Sequence, residues 1–330
     1  MLVTSMPPPV GTSLKPVRRM PEPKTLPRIG GANLTRDIDL SQDELVALLD
    51  LTQQVKTSPS RFVQALKGQY LSLLFEKPSL RTRVTFELAI KQLGGDSVLT
   101  TGPIGDREPL KDVARNLDRW TNGIVARTFS QQTIDELAHW SRVPVINALS
   151  DRFHPCQALA DIFTLQERVG DLGGIKLAFV GDANNVAHSL MLTAVRMGMN
   201  FSIATPEGYG PNAEIVAQAE ALGAISGGQL SITNDPSEAV AQAQAVYTDV
   251  WASMGHEHEH QKRLADFARF QVNQQLLAQA SDDAIFLHCL PARRGQEVTD
   301  EVIESDQSVV FDQAENRLHV QKALLLMLIG

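Results

Sequence analysis

Short apolar runs that end in polar clusters recur along this chain and alternate with stretches of helical period. In the second half, 176–180 leads to Gly181-Asp182-Ala183-Asn184-Asn185 and 201–204 to Thr205-Pro206-Glu207-Gly208. Further on, 245–247 leads to Thr248-Asp249, 284–287 to His288-Cys289-Leu290-Pro291, and 309–311 to Asp312-Gln313. In the first half the runs are 71–75, 123–126 (ending at Arg127-Thr128) and 143–148. Between them lie helical periods at 84–93, 112–119 and about 151–168. Ser41 followed by Glu44 forms a capping box that opens another helix. Strands alternating with helices require a parallel α/β sheet. Gly173-Gly174 divides the chain, so we expect two parallel-sheet α/β domains joined by helices, the second Rossmann-like. The first spans 36–165 and is completed by a returning C-terminal helix over 315–330, whose period is clear from 316; the second spans 166–314. Ligands of open α/β sheets bind beyond the carboxyl ends of the strands, which places the expected site in a cleft between the two domains.

Residues 1–35 are set apart, because the first 34 hold seven prolines, five Lys or Arg and a single acid without any period. They read as a disordered arm that lacks the apolar core of a secretory signal. A net charge of −8 over 330 residues argues against nucleic acid or an anionic membrane as partner. No apolar run approaches the ~18 residues of a membrane span. Two cysteines far apart, Cys156 and Cys289, form no disulfide framework and suit a reducing cytoplasm. Any anion site must then be a local pocket, as in a small-molecule enzyme.

One stretch carries such a site. Phe75-Glu76-Lys77-Pro78-Ser79-Leu80-Arg81-Thr82-Arg83 reads as a strand end, a turn stiffened by Pro78 and the first turn of a helix. A helix start offers unpaired N–H groups and the positive end of a dipole. Ser79 and Thr82 add hydroxyls, and Arg81 a fork suited to two phosphate oxygens. In Asp151-Arg152-Phe153-His154-Pro155-Cys156-Gln157, Pro155 suits the first helical position, and His154 and Gln157 share one side of the first turn. Two other matches are weaker. Gly181-Asp182-Ala183-Asn184-Asn185 lacks the later glycines of a dinucleotide fingerprint, and its asparagine pair suits a small zwitterion. His256-Glu257-His258-Glu259-His260 matches HExxH in form, but its neighbours Gln261-Lys262-Arg263 make a charged surface helix the expected structure, so no metal site is assigned.

With these residues in view, the chain resembles the aspartate/ornithine carbamoyltransferase family over about residues 36–330. The resemblance rests on Ser79-Leu80-Arg81-Thr82-Arg83, His154-Pro155-Cys156-Gln157, Asp249 through Ser253-Met254-Gly255, and His288-Cys289-Leu290-Pro291, in that order. It implies transfer of a carbamoyl group from carbamoyl phosphate to the δ-amine of L-ornithine, giving citrulline, with no cofactor. The same resemblance implies that Ser79, the Leu80 N–H, Arg81 and Thr82 hold the phosphate. Arg127, His154 and Gln157 would hold the carbamoyl group, and Arg317 would add a further contact. By the same token Asn185, Asp249, Ser253 and Met254 would bind the amino-acid end of ornithine, with Cys289 and the Leu290 carbonyl beside the δ-amine and the carbamoyl NH2. It also implies a homotrimer or an assembly of trimers. Three positions depart from the family pattern: Leu80 and Ala183 replace its usual Thr and Gly, and Pro103 stands near where members often place His or Gln. Alternatives within this reading are an N-acylornithine or putrescine carbamoyltransferase, or a catalytically silent amino-acid sensor on the same fold.

Overall fold

The computed structural model describes residues 26–252 and 259–330. Its first unit runs α1 (Gln42–Thr57), β1 (Tyr70–Phe75), α2 (Arg81–Gln92), β2 (Asp96–Thr101), α3 (Leu110–Trp120), β3 (Gly123–Arg127), α4 (Gln131–Trp140), β4 (Val145–Leu149) and α5 (Pro155–Val169). The second runs β5 (Lys176–Val180), α6 (Asn185–Arg196), β6 (Asn200–Ala204), α7 (Ala213–Ser226), β7 (Gln229–Thr233), α8 (Pro236–Val240) and β8 (Ala245–Thr248). It continues through α9 (His260–Asp266), α10 (Gln274–Leu277), β9 (Ile285–His288) and α11 (Asp300–Ile303) to α12 (Val310–Ile329).

The two sheets have the orders β2-β1-β3-β4 and β7-β6-β5-β8-β9, and every pairing within them is parallel. In each order the chain reverses direction beside its founding strand, β1 in one sheet and β5 in the other. That reversal opens a crevice at the carboxyl ends of β1 and β3, and another at those of β5 and β8. The central strands β3, β5 and β8 are buried on both faces and read as largely apolar runs. Two strands are absent from the sequence reading, β2 and β7. Both are edge strands with largely exposed polar residues, so no apolar run announces them.

Helix α5 is not a surface helix, since every residue from Pro155 to Leu165 is buried. It packs against α6 of the second unit and against α12. The returning helix α12 also lies on α1 and α2 of the first unit. The expected strand over 309–311 is not formed. Val309 N–H bonds the Phe286 carbonyl and Ser308 makes one bridge beside β9, after which Val310 begins α12. A β-branched pair there reads as a strand, but a single bridge is all the sheet edge accepts before the helix turns away.

The end of the arm assigned to 1–35 is also organised where it is described. Leu34 is buried and pairs with Ile146, exchanging backbone hydrogen bonds with Val145 and Asn147, and Ile29 joins the core. These residues extend the first sheet beyond β4, a pairing that a proline-rich composition does not reveal. Among the described residues no helix is long and apolar enough to cross a membrane.

Candidate active site

Helix α2 begins without a side-chain cap; its N-cap residue, Leu80, is largely exposed and Ser79 half-buried. The first N–H groups of this helix therefore stay available to an anion. The strand end before it is braced by Glu76, whose carboxylate accepts from Ile104 N at 3.2 Å and Phe129 N at 2.8 Å. At the neighbouring strand end, the β3–β4 register shifts between Ala126 and Arg127. Such a bulge re-aims the side chain that follows it, here Arg127.

Four cationic or potentially cationic groups gather from separate elements: Arg81 on α2, Arg127 on β3, His154 before α5 and Arg317 on α12. Burial first, then the charges of Arg317 and Arg81, push the Arg127 guanidinium down to about 10. The same factors, burial foremost and then Arg317, Arg127 and Arg81, hold His154 well below its ordinary value, so it is a neutral imidazole at pH 7. Arg317 is buried, donating through Nη1 to Gln157 Oε1 at 2.6 Å and through Nη2 to the Thr82 hydroxyl. Among the described residues, Arg127 Nε, Arg317 Nε and His154 Nδ1 are buried without partners. Mutually repelling groups with orphaned nitrogens are the signature of a site built for an anion.

The opposite wall comes from the second sheet. Asn184 caps α6, accepting from Val186 N and Ala187 N, while its Nδ2 donates to Asp249 Oδ2 at 2.7 Å. Cys289 Sγ donates to Asp249 Oδ1 at 3.1 Å. Leu290 follows in the left-handed region, at φ 57°, where a leucine is strained. Its N–H donates to His288 Nδ1 at 2.8 Å, which leaves the His288 proton on Nε2, 3.2 Å from Glu297 Oε1. Glu297 also accepts from Arg293 N, so the buried His288–Glu297 pair splints the whole turn.

Asp249, His288 and Cys289 bring possible metal-ligand atoms within 4.8 Å of one another. Both His288 ring nitrogens are already engaged, however, and the trio offers at most two ready ligands.

The structure thus brings Arg81, Thr82, Arg127, His154, Gln157 and Arg317 together on one wall, and Asp249, Cys289 and Leu290 on the other. Asn185 behaves differently from its neighbour: its Nδ2 donates to the Ser150 carbonyl at 2.6 Å and so ties α6 to the end of β4. Ser253, Met254 and Gly255, like His256, Glu257 and His258, lie outside the described residues. His260, the last of the HExxH pattern, opens α9 with Nδ1 3.2 Å from Arg293. Sequence reasoning named Asn184 only within the asparagine pair suited to a small zwitterion, and gave no role to Asp161, Gln313 or Glu297. Asn184 had a legible signal, an N-cap residue ahead of an apolar helical period; the others reveal themselves only through their partners.

Both halves of the chain also match known families. The profile described as "Aspartate/ornithine carbamoyltransferase, carbamoyl-P binding domain" covers residues 33–167, and that of the "Asp/Orn binding domain" covers 173–328. An ornithine carbamoyltransferase of Thermus thermophilus is 49% identical over 310 residues, 91% of this chain and 100% of that protein. Among solved structures, ornithine carbamoyltransferase from Pyrococcus furiosus superposes with a TM-score of 0.89 at 44% identity, covering 92% of this chain and 98% of that one. The enzyme of that name from Gloeobacter violaceus gives 0.84 at 45% identity, over 92% and 100%. With both domain profiles matched in order over most of the chain, and a relative 49% identical along its whole length, the chain belongs to the aspartate/ornithine carbamoyltransferase family.

Proposed function

We propose that this chain transfers the carbamoyl group of carbamoyl phosphate to the δ-amine of L-ornithine, releasing citrulline and phosphate. The observation that carries the reading is the cluster of Arg81, Arg127, His154 and Arg317 at the open N-terminus of α2, facing Asp249 and Cys289. The phosphate lies on Ser79, the Leu80 N–H, Arg81 and Thr82, where an uncapped helix start meets a guanidinium. Arg127 and neutral His154 donate to the carbamoyl oxygen, which becomes an oxyanion as the amine attacks. Arg317 and Gln157 complete that wall.

On the other side, Asp249 pairs with the α-ammonium group of ornithine, and Asn185, Ser253 and Met254 complete the amino-acid subsite. Asn184 joins it by holding Asp249. The δ-amine must lose its proton to attack, and the arginines nearby disfavour its charged form. Cys289 and the Leu290 carbonyl lie beside that amine and the carbamoyl NH2. Collapse of the tetrahedral intermediate breaks the C–O bond and expels phosphate, which is a good leaving group without a cofactor. The chain works as a homotrimer, singly or in assemblies of trimers, in the cytoplasm, where its unpaired thiols persist.

Formation of the carbamoylated amine from carbamoyl phosphate, run in parallel with ornithine, N-acetylornithine, N-succinylornithine, putrescine and aspartate, tests the proposal. Turnover with ornithine alone is expected. Preference for another amine would overturn the substrate assignment, and no product with any amine would favour a silent binding protein.

A further inference from the structure

Asp161 lies one turn beyond Gln157 on α5 and is fully buried. Its Oδ1 accepts two hydrogen bonds, from Gln157 Nε2 and Gln313 Nε2, both at 2.7 Å. Each glutamine commits its carbonyl elsewhere. Gln313 Oε1 accepts from the His288 backbone N–H at 3.0 Å, and Gln157 Oε1 accepts from Arg317 Nη1 at 2.6 Å. A backbone N–H can only donate, so Gln313 has a single amide orientation, with its NH2 turned to Asp161. Arg317 can only donate and Asp161 Oδ1 accepts, so between them Gln157 has one orientation, NH2 towards Asp161 and carbonyl towards the arginine cluster.

We propose that Asp161 is a positioning residue that sets the polarity of the Gln157 amide, and so makes the site select a carbamoyl group over an acyl group lacking the N–H. The inference rests on the carbamoyl-transfer reading above. Gln157 Oε1 is an acceptor on the wall that holds the reacting group, and a carbamoyl amide supplies a proton to it where a methyl cannot. Sites that hydrogen-bond a substrate N–H discriminate strongly against the analogue without it, because their own polar atom is then left unpaired. Without Asp161, Gln157 Nε2 would be a buried donor with no acceptor, and the side chain would turn away to find one.

Two variants of the full chain, Asp161→Leu and Asp161→Asn, test this by binding of carbamoyl phosphate and of acetyl phosphate, which carries a methyl for the amino group. The readout is the ratio of the two dissociation constants, which a merely structural role would not move. In D161L carbamoyl phosphate should weaken ~10-fold or more while acetyl phosphate stays within ~2-fold. D161N should keep the wild-type ratio within ~3-fold, because its carbonyl oxygen still accepts from Gln313, whose orientation His288 enforces. Equal weakening of both ligands in D161L would overturn the proposal. So would loss of the preference in a folded D161N, which keeps the question open to test where D161L does not fold. Citrulline formation by the wild type tests the carbamoyl-transfer reading separately, since these measurements use no amine.

Discussion

The Cys289 thiol donates to Asp249 Oδ1 across 3.1 Å, tying together the carboxyl ends of β9 and β8, which are neighbours in the second sheet. Its enclosed surroundings, first, and the Asp249 carboxylate, second, push this thiol well above its ordinary value. Cys289 therefore stays a protonated donor at neutral pH and is no thiolate nucleophile.

This predicts slow alkylation. Each tenfold loss of thiolate lowers the rate tenfold, so iodoacetamide at pH 8 should modify Cys289 at least ~10-fold more slowly than a free cysteine. Asp249→Asn removes the second cause and should speed the reaction. Peptide mass spectrometry reads both rates, with Cys156, buried and pushed up to about 12, as an internal slow control. Labelling of Cys289 at the free-thiol rate would refute the assignment.

Asn184 has two tasks, capping α6 and holding Asp249. Asn184→Ala should cost ~1–2 kcal/mol of stability through the lost cap. It should also raise the KM for ornithine, because Asp249 loses a partner. Asn184→Asp keeps the cap but sets two carboxylates together, so it should retain most of the stability and still bind ornithine poorly. Thermal melts and steady-state kinetics separate the two effects.

Arg81 is part-exposed at the start of α2, and burial lowers its pKa, with the Asp249 carboxylate opposing. Arg81→Ala should lower kcat/KM by ~10²-fold or more, the usual loss when a donor to developing or transferred charge is removed. The melting temperature should hardly move, since the side chain packs little. Near-normal turnover in this variant would mean that the phosphate subsite has been misplaced.

Asp37 carries a pH-dependent strain that is separate from catalysis. Burial raises its pKa from 3.8 to about 6, against hydrogen bonds from Ser189 and Thr193. The folded state thus binds more protons than the unfolded state between those values, so stability falls as pH rises from about 4 to about 6 and stays lower above. The penalty is ~3 kcal/mol. Asp37→Asn removes it, so its melting temperature relative to wild type should climb across that window. A constant difference from pH 4 to pH 7 would contradict the buried, proton-holding carboxyl.

Much of the architecture was legible because parallel strands buried on both faces must be apolar runs, and loops at their carboxyl ends must be polar. The anion motif at 75–83 could be read for the same local reason: strand, turn, helix start and arginine follow one another within nine residues. The edge strands β2 and β7 could not, since exposure removes the apolar signal, and 309–311 misled because β-branched residues also tolerate the first turn of a helix.

By itself, then, the sequence determined the two α/β units, the helix start that attracts an anion and the residue types of both walls. Only the tertiary structure decided which of them meet. Arg317 reaches Gln157 across 160 positions and Thr82 across 235, and Asn184 rather than Asn185 faces Asp249. The reason is physical. Local propensity acts over a few residues, whereas a buried guanidinium, carboxyl or amide takes its partner from whatever donors and acceptors the packing of α5 against α12 brings within 3 Å.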